Sequence, residues 1–162
     1  MNLLTNGRYN KVVNIMETII LCKEHLPKEK FDHSLRVAIN VFNSPTTVYM
    51  SIIERELIFS LALIHDMIED TDCNIDTIVN TIDSGSNITY LKQALELLTH
   101  DKKVDSYETY IKKIRDTATK GGFYSQAAFY VKQADMKDHL EQEETLTDAL
   151  KEKYYPVIKY LL

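Results

Sequence analysis

The chain has 162 residues and a mass of 18.8 kDa, the size of one domain. Hydrophobic residues make up 44% and charged residues 27%, which places it among globular chains and against disorder. Only 4 Gly and 3 Pro are too few turn residues for a sandwich or barrel of short strands, and a net charge of −5 argues against broad binding to nucleic acid or an anionic membrane.

Residues 8–25 carry Tyr9, Val12, Val13, Met16, Ile19 and Ile20 at helical spacing, and Pro27 ends that segment. Over 30–43, Phe31, Leu35, Ala38 and Phe42 share a stripe. Ser44-Pro45 reads as an N-cap followed by Pro at the first helical position. It would open a long helix, with a break near Met50 left open, that reaches about Glu69. Ile75, Ile78, Val79 and Ile82 predict a short helix, and 83–87 a loop. Leu91, Ala94, Leu95 and Leu98 mark the next helix, and Ser106 is placed to cap another that begins at Tyr107. Lys120-Gly121-Gly122 breaks the chain. Ala127, Ala128, Val131 and Ala134 define a further helix, and a last one runs from Leu146 to Leu161 with a kink at Pro156. No segment alternates strictly enough for a strand. The expected fold is all-α, with seven to eight helices in one domain.

The apolar runs Leu57–Phe59 and Leu61–Ile64 fall far short of the ~20 residues that span a bilayer. No basic region followed by an apolar one opens the sequence, so the expectation is a cytoplasmic protein without a signal peptide. Cys22 and Cys73 lack CxxC spacing and read as free thiols. Tyr154, Tyr155 and Tyr160 in the tail read as packing or as a surface for homo-oligomer formation.

The chemistry gathers where apolar seams run into ionisable residues. Leu57, Ile58, Leu61 and Ala62 lead along one helical face into His65 and Asp66, and a turn later into Glu69 and Asp70. Burying three carboxylates and an imidazole together is costly unless something compensates, and a divalent cation is the simplest candidate. Ala127, Ala128 and Val131 lead likewise into Asp135, with Lys132 before it and Asp138-His139 after it. His33 lies between Phe31 and Leu35, with Arg36 close behind. A lone His or Asp on a helix is usually a surface residue, and His25, His100 and His139 fit that description. The full His-Asp-x-x-Glu-Asp pattern at the end of an apolar helix does not. The candidate ligands are His33, His65, Asp66 and Asp135.

Phe31-Asp32-His33-Ser34-Leu35-Arg36-Val37-Ala38, Leu61-Ala62-Leu63-Ile64-His65-Asp66-Met67-Ile68-Glu69-Asp70-Thr71-Asp72 and Val131-Lys132-Gln133-Ala134-Asp135 together resemble the HD superfamily of metal-dependent phosphohydrolases. The pattern is most similar to small, stand-alone hydrolase domains of the RelA/SpoT type, which remove pyrophosphate from the 3′ position of (p)ppGpp. Residues from Leu97 to Ile111 share the likeness, which spans roughly residues 20–142. The resemblance implies one HD-type helical bundle over residues 1–162. It implies one metal ion, most often Mn²⁺, on His33, His65, Asp66 and Asp135. Glu69 and Asp70 match the acidic pair that handles the attacking water.

The chain departs from that pattern in two places. Where the branch has Asn four residues after the last Asp, this chain has His139. Where the branch has an Arg that stacks on guanine, Lys23 or Glu24 stands, with Lys28 and Lys30 the nearby cations. Arg36, Lys132 and His139 are the candidate substrate contacts, and Arg36 and Lys132 read equally as snorkelling surface charges or as ion-pair partners of the local carboxylates. The resulting expectation is a nucleotide phosphohydrolase with a small-molecule substrate and neither nucleic-acid nor membrane partner. The alternatives are a 5′-nucleotidase-type HD enzyme and a non-catalytic, nucleotide-binding regulatory protein.

Overall fold

A computed structural model describes residues 14–82 and 88–162. Among them are nine α-helical segments and a terminal 3₁₀ turn, and no strand. With the single turn α4 taken as the end of α3, the count is eight helices, an all-α fold as the periodicity predicts. No helix among the described residues is long and apolar enough to cross a membrane.

Helix α1 (Ile15–His25) begins where the Asn14 side chain accepts a hydrogen bond from the Glu17 amide. The expected residues 8–13 of this helix, and the loop at 83–87, lie outside the described residues. Helix α2 (Lys28–Phe42) starts directly after Pro27, so this proline serves to open α2 as well as to end α1. Its buried face runs through His33, Ser34, Val37, Ala38 and Val41. Of the stripe expected at Phe31, Leu35, Ala38 and Phe42, Ala38 is buried and the other three are only half-buried. This one-residue rotation carries His33 inward.

Ser44-Pro45 does not open the long helix. Residues 45–49 form turns in which the Thr47 and Val48 amides bond back to the Ser44 carbonyl. Helix α3 (Ile52–Ile64) starts instead after Ser51, which exchanges hydrogen bonds with Glu54 in a capping box. Two N-cap signals compete here, and only the second has an acidic partner three residues on. The chain then turns at His65-Asp66 and adds the single turn α4 (Met67–Asp70).

Helices α5 (Ile75–Ile82) and α6 (Ile88–Leu98) follow, and Ser106 caps α7 (Tyr107–Lys120) as its sequence predicts. Gly121 ends α7 and Gly122 opens α8 (Phe123–Glu141). A Cβ on Gly121 would lie 2.8 Å from the Thr117 carbonyl oxygen and 2.5 Å from the Ser125 hydroxyl, so this sharp junction needs glycine. Helix α9 (Asp148–Tyr154) stops before Pro156, and a 3₁₀ turn (Ile158–Tyr160) completes the chain. Pro156 thus terminates the last helix where a kink was expected, because the residue before a proline disfavours helical continuation.

Helix α8 touches α2, α3, α6 and α7, and its Ala127, Ala128 and Ala134 are buried in that central position. The main core joins α1, α2, α3, α5, α6 and α8 around Ile58, Leu61, Ile78 and Leu95. A smaller cluster of Tyr110, Ile111, Ile114, Met136, Tyr154, Val157 and Leu161 ties α7 and the C-terminal segment to α8. Cys22 is buried and Cys73 half-buried, both as free thiols. Burial pushes the Cys22 thiol up to about 12, so it is inert at neutral pH.

Candidate metal centre

Three helices bring their ionisable residues to one point. α2 contributes His33, the turn after α3 contributes His65 and Asp66, and α8 contributes Asp135. His33 Nε2 lies 3.1 Å from Asp135 Oδ1 and 3.9 Å from Asp66 Oδ2. His65 Nε2 lies 3.3 Å from Asp66 Oδ1 and 3.6 Å from Asp135 Oδ1. The structure thus gathers all four ligand candidates read from the sequence.

The other side of each imidazole is already occupied. His33 Nδ1 is 2.8 Å from Asp138 Oδ2, and His65 Nδ1 is 2.7 Å from the Ala62 carbonyl oxygen. A carboxylate and a carbonyl only accept, so both Nδ1 atoms donate, and a neutral ring then presents the Nε2 lone pair inward. His33 Nε2, His65 Nε2 and Asp135 Oδ1 are buried and make no hydrogen bond. Buried polar atoms are rarely left this way. Convergent imidazole and carboxylate donors of this kind are a set that can hold a divalent cation.

Electrostatics in the cluster are strong because His33, His65, Lys132 and Asp135 are buried. Burial opposes ionisation of Asp135, but Lys132 with its Nζ 2.6 Å away, and the three imidazoles around it, hold the carboxyl well below its usual range. Burial also disfavours the His65 imidazolium, yet Asp66 and Asp135 outweigh it and raise this pKa to about 9. Asp138 is held low against its own desolvation by Arg36 and His33.

Beside the cluster opens a cavity of about 330 Å³, with Asp66, Glu69, Asp70, Asp135 and His139 on one side. Glu69 Oε1 accepts a hydrogen bond from the His100 amide at 2.9 Å, and Asp70 Oδ2 lies 3.0 Å from Lys30 Nζ. Lysines 30, 102, 132 and 153 line the same space, with Tyr107, Tyr110 and Tyr154. Lys153 Nζ sits 4.3 Å from the centre of the Tyr107 ring. Burial and the neighbouring Lys132 and Lys102 charges push the Lys153 pKa down.

Of the expected substrate contacts, Lys132 and His139 line this cavity and Arg36 does not. Arg36 reaches the Asp138 carboxylate through Nε at 2.9 Å and Nη2 at 3.0 Å, which places it behind His33. Lys23 and Glu24 lie on the exposed side of α1, outside the cavity. His100 lines the cavity and stacks on Tyr110 at 4.7 Å, so it is not the bystander its sequence context suggested. The bond of Asp138 to His33 and the place of Lys102, Lys153 and the tyrosines at the cavity escape sequence reading because they depend on how distant segments of the chain meet. Asp138 did carry one signal, its position three residues after Asp135 on the same helix.

A larger cavity of about 690 Å³ lies between α6, α7 and the start of α8, lined by residues such as Tyr90, Leu97, Thr117 and Phe123. It contains none of the clustered ionisable residues, so size does not locate the chemistry here. Comparison of the chain with family models, with curated proteins and with solved structures finds no match.

Proposed function

We propose that this chain is a metal-dependent phosphohydrolase acting on a nucleotide, with removal of pyrophosphate from the 3′ position of a guanosine 3′,5′-bis(diphosphate) as the leading reaction. The observation that carries this reading is the convergence of His33 Nε2, His65 Nε2 and Asp135 Oδ1, buried without hydrogen bonds, beside a cavity lined by Asp66, Glu69, Asp70 and Asp135. The order of these residues resembles the HD superfamily, and the HDxxEDT run favours the RelA/SpoT branch.

A divalent ion, Mn²⁺ by that resemblance, would be held by His33, His65, Asp66 and Asp135 and would supply Lewis acidity toward a phosphoryl oxygen. The remaining roles belong to side chains around it. Glu69 follows His65 by four residues and its carboxylate lines the cavity, where it can take a proton from the attacking water. Water adds to phosphorus, the bond from phosphorus to the nucleoside 3′ oxygen breaks, and that oxygen leaves with the proton Glu69 took from the water. Lys30, Lys102 and Lys153 offer ammonium groups for the polyphosphate, which reconciles an anionic substrate with an acidic chain. Lys30 also holds Asp70 in place.

The test is phosphate and pyrophosphate release from ppGpp, pppGpp, their adenosine analogues and 5′-monophosphates, with and without Mn²⁺. Mn²⁺-dependent pyrophosphate release from ppGpp, lost in His65→Ala, is the expected result. Turnover of monophosphates alone would move the chain to the 5′-nucleotidase type. Metal binding without any turnover would overturn the hydrolase reading and make the non-catalytic, regulatory alternative the one to pursue.

A further inference from the structure

We infer that His139 is a third imidazole ligand of the metal centre, a role distinct from the substrate contact expected of it; the inference rests on the reading that this site holds an ion. His139 follows Asp135 by four residues on α8, so the two side chains leave the same face one turn apart, a spacing that lets a helix present two ligands to one ion. His139 Nε2 lies 3.2 Å from Asp135 Oδ1, the same unpaired oxygen that faces His33 at 3.1 Å and His65 at 3.6 Å. The ligand atoms of His33, Asp135 and His139 lie within 4.8 Å of one another, as do those of His33, His65 and Asp66. His33 is common to both groups, and Asp135 Oδ1 lies within 3.6 Å of all three imidazoles.

The ring is also held in place. It stacks on Tyr154 at 5.2 Å and 28°, and its centre is 4.5 Å from that of His33. Tyr154 is buried in the cluster that anchors the C-terminal segment. The tail therefore orients a ligand. Three imidazoles and two carboxylates make a donor set richer in nitrogen than the four-residue set alone. That shifts preference from oxygen-seeking Mn²⁺ toward ions that favour imidazole, such as Zn²⁺ or Fe²⁺.

The competing role is a hydrogen bond from His139 to Asp135 with no bond to the ion. Pulsed electron paramagnetic resonance of the full chain loaded with Mn²⁺ separates the two, because directly bound imidazole nitrogens couple to the electron spin and can be counted. Three coupled imidazoles are expected in the unmodified chain and two in His139→Asn, whose Zn²⁺-over-Mn²⁺ preference should fall by about tenfold. Two imidazoles in the unmodified chain would overturn the inference while leaving the hydrolase reading intact. Failure of the unmodified chain to bind Mn²⁺ or Zn²⁺ would overturn both. Three imidazoles without nucleotide turnover would sink the hydrolase reading alone.

Discussion

Asp138 accepts a hydrogen bond from His33 Nδ1 at 2.8 Å, and Arg36 grips the same carboxylate through two nitrogens. One ion pair between α2 and α8 thereby fixes the tautomer and direction of a candidate ligand. Replacing Asp138 by Asn would weaken this brace and let the ring invert its proton pattern. The expected outcome is a loss of metal affinity of about 10–100-fold with the fold retained. Arg36→Lys loses the two-nitrogen grip but should cost less, since the Asp138 carboxylate that accepts from His33 Nδ1 remains. Calorimetric titration with Mn²⁺ checks both, and an unchanged affinity in Asp138→Asn would refute the bracing role.

In the proposed reaction Glu69 acts on the attacking water without holding the ion. Its Oε1 is fixed by the His100 amide at the end of α6, and Lys102 Nζ approaches Oε2 at 3.9 Å. Glu69→Gln keeps the shape and an acceptor for that amide but removes the base. Turnover should fall by about 10²–10⁴-fold while Mn²⁺ affinity stays within a few fold. A joint measurement of kcat and the Mn²⁺ dissociation constant tests this, and a parallel loss of both would make Glu69 a ligand.

The centre was legible in the sequence because its residues violate an apolar seam. Leu57, Ile58, Leu61 and Ala62 are buried as their spacing predicts, and His65 extends the same face into the interior. The α2 seam was harder to read. His33 and Ser34 are buried, but a polar pair contributes nothing to a hydrophobic stripe, so the pattern drifted to Phe31 and Leu35. Local chemistry misled at Ser44-Pro45 because it satisfies half of a helix-start signal, while Ser51 with Glu54 satisfies all of it. An ion-pair role was open to Arg36 from the sequence, but its partner was out of reach: Asp138 lies 102 residues away on α8, and periodicity carries no information about such pairs.

Proton competition should govern metal binding. In the metal-free chain, burial of His65 is outweighed by Asp66 and Asp135, so its pKa rises from 6.5 to about 9. A raised folded value means the imidazolium stabilises the fold fully below pH 6.5, and that contribution is lost as pH climbs through about 9. A metal ligand must be neutral, so binding at pH 7 should release a proton from His65. Metal affinity should therefore rise steadily between pH 6.5 and 9 and then level off, while the metal-free chain loses thermal stability over the same interval. Calorimetry in two buffers of different ionisation enthalpy measures the released protons. Zero release at pH 7 would contradict the shift.

Lys132 and the ion should share one electrostatic task. The Lys132 ammonium is buried, 2.6 Å from Asp135 Oδ2 and near the Tyr107 and Tyr110 rings. Burial disfavours its charge, but Asp135 outweighs that cost and raises its pKa. Lys132→Met keeps much of the volume and leaves the Asp135 carboxylate without its nearest cation. Breaking a buried pair from one side costs about 3–5 kcal/mol, so the metal-free variant should unfold at much lower denaturant. A bound divalent cation faces the same carboxylate and replaces part of the missing charge. Saturating Mn²⁺ should therefore stabilise Lys132→Met by more than it stabilises the unmodified chain, in paired denaturation curves. Equal stabilisation of the two would show that Lys132 and the ion act on Asp135 independently.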